Sequence, residues 1–243
     1  PPRQPTKASQ NCRAAGFQNI SIDLMYGLPG ETLSTWQQDL DQALLLHPEH
    51  LSAYHLIYEE DTVLWKLREQ HKVEEADEDL SVSLFSTLID RLTSEGYDHY
   101  EISNFSLPGL YSRHNSSYWT EKKYLGCGPS AHSYNGVSRQ WNVASLDTYI
   151  KGISAGTPVF EIEELDLYTR YNDFVITRIR TEWGMPLSKL RDEFGEKLYD
   201  YCLRMAAPHL KQGTLELVND ILKLTRKGIF ISDGIMSDML WTD

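Results

Sequence analysis

Residues 19–29 read NISIDLMYGLP, an apolar stretch that runs into a Gly-Leu-Pro turn. The pattern predicts a buried strand, and Thr32 just after the turn can cap a helix that runs to about Leu46. That helix would place four apolar side chains on one face, namely Trp36, Leu40, Ala43 and Leu44. A strand, a turn and a capped helix together form the first part of a βα unit.

The same order continues downstream of this unit. Residues 50–57 (HLSAYHLI) predict a second strand, residues 76–94 a helix and residues 97–102 a third strand. Leucines recur in the helix at a spacing of four, at Leu80, Leu84, Leu88 and Leu92. Strand, helix, strand, helix, strand is typical of parallel βα units, so we predict an α/β fold with three parallel strands.

Parallel units bind ligands at the carboxyl ends of their strands, so residues 23–30, 54–60 and 101–105 are expected to share one rim. Three parallel strands are too few to close a barrel or to hide both sheet edges. We therefore expect a fragment, with further βα units before Pro1. An exposed sheet edge of this kind could pair two copies of the chain into a homodimer.

The composition limits the class of protein. The chain has 243 residues, a net charge of -12 and a pI near 5.1, which argues against nucleic acid as the main partner. Its three cysteines are too widely spaced for a disulfide framework or a CxxC metal site. Without a membrane-length apolar run or a signal-like start, we expect a cytoplasmic protein, with peripheral membrane association left open.

The last hundred residues have a different character. We predict helices at residues 147–155, 166–181, 187–194 and 197–212. The segment LELVNDILKLT then predicts a hairpin that turns at Asn219 and Asp220, and Thr225 can cap a last helix. The expected domains are residues 1–146 and a mostly helical, winged-helix-like domain at residues 147–243. No basic recognition face is evident, so DNA binding is not favoured.

Function should be sought first between Tyr100 and Tyr134, where polar, aromatic and glycine residues are dense. This segment contains two potential metal ligands, His114 and His132. It also contains Gly126 and Gly128, where the backbone could approach a ligand closely.

Five segments carry a family resemblance. They are GFQNISIDLMYGLPGET at 16–32, HLSAYHLIYEEDT at 50–62, YEISNFSLPG at 100–109, HNSSYW at 114–119 and YLGCGPSAHSY at 124–134. Over nearly its whole length the chain resembles the C-terminal two thirds of the HemW-like haem chaperones, which lie within the radical SAM, oxygen-independent coproporphyrinogen III oxidase-like family. The resemblance implies part of a radical SAM (β/α)6 barrel followed by the accessory domain of that family.

The resemblance implies S-adenosylmethionine and a [4Fe-4S] cluster in the full-length protein. The cluster cysteines are absent from this chain, because no two cysteines have the CxxxCxxC spacing, so no cluster is expected here. Asp23, Ile57, Gly128 and Ala131 match positions that contact S-adenosylmethionine. Alternatively, Asp23 satisfies loop amides before Gly27 and Ile57 is a core residue. Ser130 stands where the family has glycine, so a positive φ angle there would strain it.

The HNxxYW motif implies haem binding. His114 would be the ligand of the haem iron, with Tyr118 and Trp119 stacked against the porphyrin. Alternatively, these residues only stabilise a loop. His132 is either a ligand or a packed core histidine, and Cys127 is expected to be a buried, inert thiol. We assign no catalytic residue.

Three functions remain open. The first is a haem chaperone that delivers haem to a membrane-bound respiratory haem enzyme. The second is oxidative decarboxylation of coproporphyrinogen III, which needs cations for the substrate carboxylates; the basic residues near the rim are few, chiefly Arg113, Lys122, Lys123 and Arg139. The third is a scaffold that binds no cofactor.

Overall fold

The structure is a computed structural model that describes residues 3–242, and two compact units divide the chain after Ser112. The elements of the first unit are α1 Arg3–Ala14, β1 Ser21–Tyr26, α2 Leu33–Leu44, β2 His50–His55, α3 Val63–Glu69, α4 Glu78–Ser94, β3 Asp98–Glu101 and β4 Asn104–Ser106. The predicted strands and long helices of this unit are all present. Helix α3 was not predicted, although Thr62 caps it through the backbone N–H of Trp65.

The first sheet has the strand order β1-β2-β4-β3. Strands β1 and β2 are parallel, whereas β4 is antiparallel to both β2 and β3. Strands β1, β2 and β3 therefore run in the same direction, as predicted, but β3 does not pair with β2. The chain reverses after Glu101, and β4, which the sequence did not predict, lies between β2 and β3. The fold class itself, a mixed α/β sheet, is confirmed.

The two faces of this sheet differ in polarity. On one face α2 and α4 pack through the fully buried side chains of Trp36, Leu84 and Leu88, and the Trp36 indole N–H donates to the Leu84 carbonyl at 3.0 Å. The other face carries polar side chains. Strand β1 lies at the sheet edge, and its residues Ser21 and Asp23 are exposed. The prediction that β1 is fully buried is therefore wrong, because a half-covered edge strand buries only one side.

The second unit begins with the helix that carries the HNxxYW motif. Its elements are α5 Arg113–Trp119, β5 His132–Tyr134, β6 Ser138–Asn142, α6 Leu146–Ser154, β7 Phe160–Glu164, α7 Leu167–Ile179, β8 Met185–Pro186, α8 Leu187–Gln212, β9 Leu215–Val218, β10 Ile221–Leu224, α9 Arg226–Ile229 and α10 Ser232–Met239. Strands β5, β6 and β7 form an antiparallel sheet that the sequence did not predict. The motif, which we expected in a loop, is helical.

The C-terminal part of this unit agrees with prediction. Helix α8 is broken at Gly195 (φ 79°, ψ 172°), where the sequence predicted a gap between two helices. Strands β9 and β10 form the predicted hairpin, with positive φ angles at Asn219 and Asp220. Such angles at both central residues are typical of a tight hairpin turn. Thr225 caps α9 as expected, by accepting a hydrogen bond from the Gly228 N–H.

The expected domain boundary after residue 146 stays a prediction. Strand β8 joins the hairpin to give a three-stranded sheet of order β8-β10-β9, which packs with α7 and α8. Within residues 3–242 no helix is long and apolar enough to cross a membrane.

Candidate functional site

The HNxxYW motif places His114 and Tyr118 on the same side of α5, because residues four apart in a helix are neighbours. Their ring centroids are 5.2 Å apart in an edge-to-face arrangement. The His114 side chain is exposed, and its Nε2 atom lies 3.3 Å from the Tyr118 hydroxyl. That long contact between exposed side chains is easily exchanged. The imidazole is therefore accessible to a ligand, provided that the hydroxyl turns aside.

Three tyrosines continue from His114 into the unit. Ring centroids are separated by 5.0 Å between Tyr118 and Tyr124 and by 6.1 Å between Tyr124 and Tyr134. Paired backbone hydrogen bonds of 3.0 and 2.9 Å hold Tyr124 opposite Tyr134. Burial raises the pKa of both phenols, so they remain protonated donors at neutral pH. We call His114, Tyr118, Tyr124 and Tyr134 the aromatic ladder.

Trp119 is placed differently from Tyr118. It is five residues from His114, and the guanidinium of Arg180 lies over its ring at 4.2 Å. One face of the indole is thus already covered by a cation, an arrangement that is itself favourable. A stacking role for Trp119 stays a prediction.

A cavity of about 630 Å³ adjoins the aromatic ladder. This volume falls in the range of small-molecule sites. Aromatic side chains form much of its wall, namely Tyr118, Trp119, Tyr124, Tyr134 and Phe194. Sequence reasoning missed the cavity, because α7 and α8 supply the far wall and neither carries a recognisable motif.

The glycine segment is held by a side chain from β6. The Asn142 amide donates to the Gly128 carbonyl at 2.9 Å, and the Gly128 N–H donates to the Tyr149 hydroxyl at 3.0 Å. Ser130 has a φ angle of 56°, so the strain considered for serine at this position is present. His132 is exposed beside Trp141, and the alternative of a packed core histidine is wrong.

Asp23 belongs to a polar row across the first sheet. The strand register aligns Asp23 with Ser52, Asn104 and Glu101. These three residues are buried. Asp23 is exposed, and within the described part of the chain its carboxylate accepts no hydrogen bond. The loop amides that it could have satisfied, those of Gly27 and Leu28, donate instead to Glu31. The structural alternative for Asp23 is therefore wrong.

His50 lies one row away from Asp23. The Ser21 hydroxyl is 2.8 Å from its Nδ1 atom, and the Tyr100 hydroxyl is 2.7 Å from its Nε2 atom. Burial lowers the pKa of His50, although the charge of Asp23 acts in the opposite direction. The imidazole is thus held neutral within a hydrogen-bonded chain.

Ile57 follows the end of β2 and is 71% exposed. The alternative that Ile57 is a core residue is therefore wrong. An exposed apolar side chain just beyond the end of β2 could contact a ligand, and so could the main chain of the same residue. Its role in binding S-adenosylmethionine stays a prediction.

The cysteines do not fit an iron–sulfur cluster. Cys12 is half-buried, Cys127 is exposed, and burial raises the pKa of Cys202 to about 11. The expectation that Cys127 is buried was wrong. Among residues 3–242, no three His, Cys, Asp or Glu side chains form a group that could hold a metal ion. A haem iron needs only one or two protein ligands, so His114 is compatible with it.

Comparison with known proteins defines the class first. The HemN C-terminal domain matches residues 165–231. A solved structure described as "Coproporphyrinogen III oxidase (HemN) from Escherichia coli is a Radical SAM enzyme" superimposes with a TM-score of 0.76, at 20% identity, over 96% of this chain and 57% of that one. The fold is therefore that of the HemN-type radical SAM proteins, including their C-terminal domain.

Relatives in sequence give the branch of this class. "Heme chaperone HemW" of Mycobacterium tuberculosis (strain ATCC 25618 / H37Rv) is 31% identical over 240 residues, or 98% of this chain and 60% of that protein. "Heme chaperone HemW" of Bacillus subtilis (strain 168) is 28% identical over 232 residues, 95% of this chain and 61% of that protein. The chain is similar in sequence to these HemW proteins, as predicted, and spans about 60% of their length.

Proposed function

We propose that this chain is the haem-binding part of a haem chaperone, with His114 as the protein ligand of the iron. The observation that carries the proposal is the exposed imidazole of His114 beside Tyr118, at the mouth of an aromatic cavity. A neutral imidazole is a good axial ligand for haem iron, and a tyrosine ring can pack against a porphyrin. The names of the HemW relatives support the same function.

The test is a haem titration followed by absorbance. His114→Ala should abolish the Soret shift of the bound haem and weaken binding by roughly tenfold or more, because a coordinate bond is worth at least one good hydrogen bond. His132→Ala is the matched control, since His132 is also an exposed histidine of the same unit. If the Soret shift persisted in His114→Ala and were lost in His132→Ala, the iron ligand would be His132 and the proposal for His114 would be wrong.

We further propose that Asp23 contacts S-adenosylmethionine in the full-length protein. Its exposed carboxylate, which the loop amides leave free, can accept hydrogen bonds from an ammonium group or a ribose. Contacts at Ile57, Gly128 and Ala131 rest on the family resemblance. Bound S-adenosylmethionine would supply the radical chemistry typical of this class, and the cluster ligands would have to come from other residues.

Asp23→Asn should weaken S-adenosylmethionine binding by about tenfold in full-length protein with a reconstituted cluster, because one charged hydrogen bond is lost. Equilibrium dialysis measures the change. Haem binding, measured on the same preparation, should not change. Equal losses of both ligands would indicate damage to the fold instead.

We propose further that the full-length protein delivers haem to a membrane-bound respiratory enzyme. The proposal includes a cytoplasmic location with peripheral membrane contact, and a homodimer. Decarboxylation of coproporphyrinogen III is the alternative function. The structural similarity to the oxidase shows the fold alone at 20% identity, so it does not favour that activity.

A further inference from the structure

Arg170 lies in the wall of the cavity beside the aromatic ladder and, among residues 3–242, has no partner anion. Four cationic side chains line this cavity, namely Lys122, Arg139, Arg170 and Lys189. Arg139 pairs with Asp173, and Lys189 pairs with Glu121 and Glu193. Lys122 is exposed at the surface. Of the residues that the structure describes, none forms an ion pair with the half-buried Arg170.

The Arg170 guanidinium lies beside an aromatic ring. Its central carbon is 5.9 Å from the ring centroid of Phe194, a long cation–π contact. Such a contact uses none of the N–H groups of the guanidinium as hydrogen-bond donors. Arg170 can therefore donate two parallel hydrogen bonds without first breaking an ion pair.

The rest of the cavity suits a flat ligand that carries a carboxylate. Part of its wall is aromatic, because the rings of Tyr118, Trp119, Tyr124, Tyr134 and Phe194 line it. Within the described part of the chain, the Tyr134 hydroxyl donates only a long hydrogen bond of 3.4 Å, to the Gly136 carbonyl. Because a phenol has a single O–H donor, Tyr134 can exchange this weak contact for a hydrogen bond to a carboxylate. The three carboxylates on the wall, those of Glu121, Asp173 and Glu193, are already paired with cations.

We propose that Arg170 binds a carboxylate of a flat aromatic ligand in this cavity, so that Arg170 holds a propionate of haem while His114 holds the iron. Tyr118 connects the two groups, since it contacts His114 and also lines the cavity. This inference rests on the proposed haem function and extends it. Arg170 binds one end of the ligand and fixes its orientation, and an Arg–carboxylate pair with two hydrogen bonds is specific for that geometry.

The experiment compares haem with its dimethyl ester, in which both propionates are neutral. Arg170→Gln should weaken haem binding by about tenfold or more, the loss expected for a charge-assisted hydrogen bond. The Soret maximum of bound haem should not move, because the iron ligand is intact. The ester should bind wild type and Arg170→Gln with equal affinity. Arg170→Lys should lie between the two for haem, since it keeps the charge and loses the fork.

Arg204→Gln is the matched control, because Arg204 is an exposed arginine that also lies over an aromatic ring, that of Tyr201, in the same unit. It should leave haem affinity unchanged. Thermal unfolding of each variant shows whether the fold persists. Equal haem affinity of wild type and folded Arg170→Gln would overturn the inference, and so would an equal loss of affinity for haem and for the ester.

Iron-free protoporphyrin separates this inference from the proposed function. Its fluorescence reports binding that needs no axial ligand. If His114→Ala leaves the haem spectrum unchanged while Arg170→Gln still weakens protoporphyrin binding about tenfold, the iron assignment fails and the carboxylate site stands. If protoporphyrin affinity does not depend on Arg170, the carboxylate site fails, whatever His114 does.

Discussion

Gly228→Ala should lower the free energy of unfolding of the C-terminal unit by about 3 kcal/mol, through overpacking against the backbone. A Cβ atom at Gly228 would lie 1.9 Å from the carbonyl oxygen of Thr214, which is far inside the contact distance of two atoms. That carbonyl accepts a hydrogen bond of 3.1 Å from the backbone N–H of Thr225, and Thr214 is 1% exposed. The added methyl group must therefore push aside a buried, hydrogen-bonded carbonyl next to the hairpin.

Gly234→Ala is the matched control for Gly228→Ala. Both glycines lie in helices of the same unit, but no atom lies within 4 Å of a Cβ built at Gly234. Alanine should stabilise α10 there by about 0.5–1 kcal/mol, the usual difference in helix propensity. Denaturant unfolding curves measure both variants. If Gly228→Ala and Gly234→Ala changed the free energy of unfolding by the same amount in the same direction, the predicted clash of residue 228 with the Thr214 carbonyl would be contradicted.

Glu121→Gln should destabilise the protein by about 2 kcal/mol at neutral pH, because it removes the carboxylate that the half-buried Arg178 pairs with and leaves Lys189 only the longer contact with Glu193. Glu121 Oε2 accepts hydrogen bonds from Lys189 at 2.7 Å and from Arg178 at 2.8 Å, and the Arg178 side chain is only 15% exposed. Although burial raises the pKa of Glu121, the hydrogen bonds and charges of Lys189 and Arg178 outweigh burial and lower it.

The pH dependence follows from the lowered pKa of Glu121. Its stabilisation is complete above the ordinary pKa of 4.5 and is lost as the pH falls through the pKa of the folded state. The difference in unfolding free energy between wild type and Glu121→Gln should therefore shrink below about pH 4.5. Glu75→Gln is the control, since the Arg68–Glu75 pair is exposed to solvent and should contribute little to stability. A difference that is constant with pH would contradict the ion-pair account.

Features that depend on neighbouring residues could be predicted from the sequence. The caps at Thr32 and Thr225, the break at Gly195 and the hairpin turn at Asn219 each arise within a few residues. Local backbone preferences and hydrogen bonds decide such features, so their residue types are informative. The motif that contains His114 is also local in sequence, but it was found through the family resemblance.

Features that join distant segments could not be predicted. Strand β4 is placed by pairing with β2, about fifty residues earlier in the chain. The ion pairs of the cavity connect residues 34 apart for Arg139–Asp173 and 68 apart for Lys189–Glu121. No spacing rule connects such residues, and only the fold shows that none of the carboxylates in the described part of the chain pairs with Arg170.

The helical conformation of α5 explains the spacing of residues in the HNxxYW motif. The rings of His114 and Tyr118 are in contact because about one turn of helix separates the two residues. The residues between them, which include Ser116 and Ser117, therefore determine the angle between the two side chains around the helix axis. Deleting or adding one of these serines would rotate the imidazole by about 100° about the helix axis, away from its tyrosine. In this motif the number of intervening residues matters as much as their chemistry.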